Sequence, residues 1–248
     1  MRDLVRVLYV GLKYDYGRPD QGLCYEHVNF LDTLRRMKGI DVSNFPFDEE
    51  MRRSGRDEMN RNLLRTAEEV KPDLCFFVLF SDEIAQGTID WITRRSGAVT
   101  CNWFGDDHYR FLPYSRHWAP LFQWVITTDA DAVARYHAIG CRNVIKSQWA
   151  FNPNLMPSGG TSPEFDVTFV GRAYGSRRQS IRALRSAGVD VRCWGRGWEM
   201  DRLSQHDMLR LFLSSRINLN FTESVVTAGW KRFAKIVFRR RADDSYLV

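Results

Sequence analysis

Short apolar runs alternate along most of the chain with stretches whose apolar and charged positions recur at helical spacing. VRVLYVGL (5–12) is continuous and of strand length, which predicts a buried strand. A polar loop, KYDYGRPDQG, follows it and leads into a helix over 23–37 that Gly39 closes. DVSNFPF (41–47) predicts a second strand, although Pro46 counts against a central place for it. Residues 56–70 predict a charged helix ended by KPD, and LCFFVLF (74–80) is the plainest strand pattern in the chain. DEIAQGTIDWITRRSG predicts a helix with Gly97 at its end. AVTCNWF (98–104), WVITTD (124–129) and NVIKSQW (143–149) predict three more strands, with DAVARYHAIGC as a helix between the last two.

Strand and helix in regular succession predict a mostly parallel sheet with helices on both faces, over residues 1–151. NPNLMPSGGTSPE (152–164) has the proline, glycine and serine content of a linker. The alternation then restarts: DVTFVG (166–171), a helix over 175–187, VDVRCWG (189–195), a helix over 204–216 and INLNFT (217–222). Each half opens on an apolar strand, a glycine and a polar loop into a helix, so two sheets of related design are expected. The second, over 165–225, has only three strands and two helices, and the expectation is an incomplete domain followed by a basic tail, 226–248.

Composition narrows the class. The 248 residues are 44% hydrophobic and 27% charged, as in ordinary globular proteins. No apolar run approaches the length of a membrane span, and MRDLVRVLYVGL is too short and too charged for a secretory signal. The five cysteines form no CxxC pair, which is expected of reduced, buried thiols in a cytoplasmic protein and speaks against zinc. Net charge is +6, from 36 basic and 30 acidic residues, and KRFAKIVFRRR (Lys231 to Arg241) alone holds six basic residues and no acidic one. The basic character therefore belongs to the tail, and nothing marks the fold as a binder of nucleic acid. Apolar and basic positions alternate in that tail, which suits contact with an anionic membrane surface; a solvated loop is the plain alternative.

In open parallel sheets, ligands sit beyond the carboxyl ends of the strands. VGRAYGSRRQ (170–179) follows such an end. Gly171 permits close backbone approach, Gly175 and Ser176 open a helix whose first N–H groups attract anions, and Arg172, Arg177 and Arg178 add donors suited to phosphate. The alternative is a turn with a solvated basic helix start; there is no Walker loop and no GxGxxG. NLNFTES (218–224) brings Asn220 and Glu223 to another strand end, where they would bond a ribose or base, or only cap a turn. FGDDHYRF puts Asp106, Asp107 and His108 at the end of the fourth strand. Adjacent carboxylates on extended chain point apart, so a shared metal ion is disfavoured. A base toward a hydroxyl substrate and a structural role both stay open, and His108 is a further candidate base. Tyr16, Gly17 and Glu26 lie near the mouth of the first strand, with Glu26 also placed to complement its helix dipole.

Taken together, VGLKYDYG with GLCYEHVNFLDTL, NWFGDDHYRF with YSRHWAP, WVITTD, SQWAFNP, VTFVGRAYGSRRQSIRALRSAGVDV and INLNFTES resemble the CgeB-like, spore-maturation type of glycosyltransferase, in order, over roughly residues 5–225. The resemblance implies a GT-B fold: two Rossmann-like domains facing a cleft, the first taking the acceptor and the second a nucleotide-sugar. It implies a donor loop of Gly171, Arg172, Tyr174, Gly175 and Arg177, with acceptor-side candidates Asp106, Asp107 and the Tyr16–Gly17 loop. It also implies no cofactor and no metal, since basic side chains and a helix N-terminus would neutralise the leaving diphosphate. The acceptor, whether glycan, protein or small molecule, stays open. The family pattern would continue after INLNFTES with a Gly-Gly-Phe turn and an acidic residue for the donor ribose, which this chain lacks. A non-catalytic binding or oligomerisation module is therefore the second expectation, and an unfinished sheet edge would favour pairing with a partner or a second copy.

Overall fold

The computed structural model describes residues 4–158 and 162–221. Contacts divide the chain into two compact units, Met1–Asn154 and Leu155–Val248. In the first, six strands, β1 (Val5–Gly11), β2 (Ile40–Pro46), β3 (Leu74–Val78), β4 (Val99–Phe104), β5 (Trp124–Thr127) and β6 (Val144–Lys146), form one sheet in the order β2-β1-β3-β4-β5-β6. Every pairing is parallel. In the second, β7 (Phe165–Val170), β8 (Val191–Trp194) and β9 (Ser215–Leu219) pair in parallel in the order β8-β7-β9.

Parallel strands need crossovers, and helices supply them. The first crossover, helical from Tyr25, contains a π-helical turn at His27–Leu31 and runs on as α1 (Asp32–Arg36). The π turn puts Asn29 in the interior, where its side-chain amide donates to the Tyr25 carbonyl at 2.9 Å. Pro46 ends β2 at the sheet edge, where no neighbouring strand asks for its missing N–H. The chain then turns directly into α2 (Phe47–Ser54), a helix that no reading of the pattern anticipates, before α3 (Arg56–Val70). α4 (Gln86–Arg95) precedes β4. Residues 105–121, of which 105–117 read in sequence as a loop beyond a strand end, are a chain of short helical turns that includes α5 (Asp107–Arg110) and α6 (Arg116–Trp118). α7 (Ala130–Ala138) is capped by Asp129, whose carboxylate accepts from the Asp131 N–H at 3.0 Å. α8 (Arg177–Ser186) and α9 (Gln205–Leu213) are the crossovers of the second unit.

The two faces of the first sheet are covered differently. Leu8, Val10, Cys75, Phe77 and Phe104 join Met59, Leu63, Ile89 and Ile92 in the main aliphatic core. Alternation sends Tyr9, Phe76 and Trp103 to the other face. There Phe30 of the π turn packs on Phe76 at 5.9 Å and Trp103 at 5.0 Å, and Trp149 closes on Trp103 at 5.3 Å. The second unit has a smaller core of Val167, Phe169, Ile181, Val191 and Cys193.

In both units the order begins second-first-third, so the switch point lies beside the opening strand. In the second unit the loops there touch through backbone. Gly195 adopts φ +119°, and a Cβ on it would lie 2.6 Å from the Gly171 carbonyl oxygen. Gly195→Ala is expected to destabilise this unit by about 1–3 kcal/mol through overpacking against backbone that cannot yield. Denaturant unfolding followed by the fluorescence of Trp194 and Trp198 measures it, and an unchanged midpoint would contradict the contact.

Candidate functional site

The rim at the carboxyl ends of β1, β3 and β4 is organised by buried polar residues. Asp48, 2% exposed, accepts from the backbone N–H of Lys13 at 2.9 Å and of Tyr14 at 3.1 Å, which fixes the loop leaving β1. The Lys13 ammonium and the Arg52 guanidinium both lie over the Tyr14 ring, at 5.2 and 5.1 Å, and Lys13 is paired with Glu49 at 2.8 Å. Tyr16 holds a left-handed backbone, φ 53°, and its ring meets Phe80 of the β3 loop edge-on at 5.7 Å, with Gly17 next along the turn. Glu83 grips that β3 loop by accepting from the Ser81 N–H at 2.8 Å and hydroxyl at 2.7 Å.

Asp106 is half-buried where β4 ends and accepts from the Tyr109 hydroxyl at 3.0 Å. Burial, then the Asp106 charge, pushes the Tyr109 hydroxyl up to about 12; Tyr16 acts on it as well. Glu26, in the first turn of the helix after the β1 loop, has its carboxyl raised, first by burial and then by the charges of Asp15 and Asp106. Tyr16, Glu26 and Asp106 are thereby brought to one rim. His108 is exposed and stands edge-on to Tyr109 at 4.7 Å, without joining the carboxylates.

Asp107 requires a correction. It is fully buried rather than turned to the rim, and its carboxylate accepts from the Thr127 hydroxyl at 2.6 Å and the Tyr136 hydroxyl at 2.7 Å. It ties the start of α5 to β5 and α7. The two aspartates point apart, as adjacent side chains do, and only one of them faces out. Among the described residues no group of three His, Cys, Asp or Glu side chains converges as metal ligands, and no helix is long and apolar enough to cross a membrane.

In the second unit, Gly171 donates to the Trp194 carbonyl at 2.9 Å, Ala173 donates to Arg196 at 2.9 Å, and the Trp198 indole N–H donates to the Gly171 carbonyl at 2.8 Å. Arg177 does not reach outward. Its guanidinium stacks on Tyr174 at 4.2 Å and donates to the carbonyls of Arg172 at 3.1 Å and Phe221 at 3.3 Å. Arg178 likewise donates to the Gly197 carbonyl and lies over Trp198. Arg172 is exposed, and its guanidinium has no hydrogen-bond or ion-pair partner among the described residues. Gly175 turns in the left-handed region, φ 58°, just before α8. Asn220 is exposed directly after β9, while Glu223 and the Lys231–Arg241 tail lie outside the described residues.

No family model and no curated protein matches this chain. Among solved structures it aligns with the apo form of the lipopolysaccharide outer core galactosyltransferase WaaB, at 11% identity and a TM-score of 0.41, covering 94% of this chain and 71% of that one. So distant a likeness carries no weight for fold, substrate or activity, and the resemblance of the quoted motifs stands by itself.

Asp48 and Tyr109 are the residues that pattern reading misses. Asp48 sits in FDEEM among three acids that look alike in sequence, and only the position of α2 against the β1 loop singles it out. Asp107 yields a prediction with a defined sign. Burial raises its carboxyl above the ordinary value of 3.8. The unfolded chain therefore ionises first as pH rises, and the fold loses stability from the unfolded pKa up through the folded one. Asp107→Asn should make that decline shallower in urea unfolding as pH rises from about 4. Asp107→Ala should cost roughly 2–4 kcal/mol by leaving two buried hydroxyls without an acceptor. An alanine variant as stable as the parent would contradict the role.

Proposed function

We propose that this protein transfers a glycosyl group from a nucleotide-sugar to an acceptor hydroxyl, as one of the GT-B type, with the donor diphosphate on the loop from Gly171 to Gly175. The observation that carries the reading is the state of the arginines in that loop. Arg177 and Arg178 are spent on backbone carbonyls, so they shape the loop, and Arg172 is the guanidinium left to meet phosphate oxygens. The first-turn N–H groups of α8 lie just beyond Gly175 and add the partial positive charge of a helix start. The order of motifs quoted above supports the same reading.

In the transfer, the acceptor oxygen forms its bond to the anomeric carbon as the bond from that carbon to the diphosphate breaks. The hydroxyl proton passes to a carboxylate of the first unit, for which Asp106 is the rim-facing member of the Asp106–Asp107 pair. Arg172 and the helix amides stabilise the departing diphosphate, a role that needs no metal ion.

Titration of UDP and GDP by calorimetry in the presence of a chelator is expected to show saturable binding of at least one of them. Arg172→Ala should weaken it about tenfold or more, the worth of one charge-assisted hydrogen bond. Absence of heat with both nucleotides, or an affinity untouched by Arg172→Ala, would remove the donor assignment.

A further inference from the structure

The ladder of the second unit runs on past the ends of its strands. Val170 of β7 stands opposite Trp194 of β8 in the parallel register. Beyond that pair Gly171 donates to the Trp194 carbonyl and Ala173 to the Arg196 carbonyl, both at 2.9 Å, in the every-second-residue rhythm of parallel pairing. The positions after them are as close: a Cβ on Gly197 would lie 3.2 Å from the Cβ of Ala173. Counting on from Val170 and Trp194 therefore sets Arg172 opposite Arg196, on backbones roughly 5 Å apart.

Like charges placed directly across a ladder repel and weaken the pairing. Both arginines are exposed, and neither guanidinium has a hydrogen-bond or ion-pair partner among the described residues. The acids that flank this stretch of chain are engaged elsewhere, Glu199 with Arg185 at 2.7 Å and Asp190 with Arg192 at 3.3 Å. Arg177 and Arg178, at the start of α8, are held by carbonyls. Two facing positive charges are thus left without a counter-ion among the described residues.

We propose that Arg172 and Arg196 form a two-armed clasp for a diphosphate, which makes Arg196, supplied by the loop after β8, a second anion-binding residue beside the glycine–arginine loop after β7. The chemistry selects the ligand. A guanidinium presents its donors in a planar fork that matches a pair of phosphate oxygens. Two forks side by side suit two linked phosphate groups; a carboxylate or a monophosphate fills one of them. The repulsion that the free protein carries becomes attraction through the shared anion. That the diphosphate belongs to a nucleotide-sugar rests on the glycosyl-transfer reading; the clasp itself does not.

The test is calorimetry of pyrophosphate, orthophosphate, UDP, GDP and UMP on the whole chain, with a chelator present. The parent is compared with Arg172→Ala, Arg196→Ala and Arg192→Ala, the last a control that removes the same charge from β8. Pyrophosphate should bind more tightly than orthophosphate, and a nucleoside diphosphate more tightly than UMP. Arg196→Ala should weaken the diphosphates about tenfold, the worth of one charge-assisted hydrogen bond, and Arg192→Ala should leave them unchanged. A second readout needs no ligand. Arg196→Ala should raise the urea midpoint at low salt by relieving the repulsion, and the gain should shrink as salt is added. No binding of any diphosphate, binding indifferent to Arg196→Ala, an equal loss in Arg192→Ala, or a midpoint that falls in Arg196→Ala would overturn the clasp. Pyrophosphate held through both arginines, with neither UDP nor GDP bound, would keep the clasp and sink the donor reading. UDP or GDP binding that needs Arg172 and ignores Arg196 would do the reverse.

Discussion

A parallel strand that stops at the rim of its sheet leaves the next backbone groups without a ladder, and everything this protein offers to a ligand depends on how those groups are held. The two units hold them with a different balance. In the first, side-chain oxygens take backbone N–H groups, Asp48 those of Lys13 and Tyr14, Glu83 that of Ser81 and Asn102 that of Leu79, while Arg110, Tyr114 and Thr128 donate to the carbonyls of Phe80, Ser81 and Gly105. In the second, side-chain donors take carbonyls: Arg177 those of Arg172 and Phe221, Arg178 that of Gly197, Trp198 that of Gly171. Each choice decides what is left over. The first rim keeps carboxylates and aromatic rings; the second keeps Arg172 and the N–H groups of a helix start.

That division of polarity suits two different ligands. A rim of carboxylates around Glu26 and Asp106 disfavours phosphate and welcomes hydroxyls. A rim of N–H groups beside the Arg172 guanidinium, unpaired among the described residues, welcomes phosphate. A transferase that takes a nucleotide-sugar and a hydroxyl acceptor needs one of each. Asp107 and Asp106 show the same economy at the level of neighbours: one buried acid anchors α5 to β5 and α7 so that the other stands at the rim.

Much of the architecture is legible in the sequence because a strand buried on both faces must be apolar throughout, and runs such as VRVLYVGL and LCFFVLF satisfy that without any tertiary information. α2 escapes notice because its eight residues directly follow a proline-ended strand, with no loop to announce them. The turns over 105–121 escape because they are too short to show a helical period. In the candidate site, Gly171 and Gly175 mark the turn between β7 and α8 plainly, since both hold a positive φ there. The roles of the arginines are not legible. Whether Arg177 faces phosphate or the Arg172 carbonyl depends on which backbone comes near it, and Phe221, one of its partners, lies 44 residues away in sequence.

The most direct measurement is backbone amide chemical-shift mapping on the isotope-labelled chain, with UDP added. The different polarity of the two rims predicts that UDP moves the amides of residues 171–178 and leaves 12–16 and 105–109 in place. Shifts from UDP centred on the carboxylate rim would contradict it.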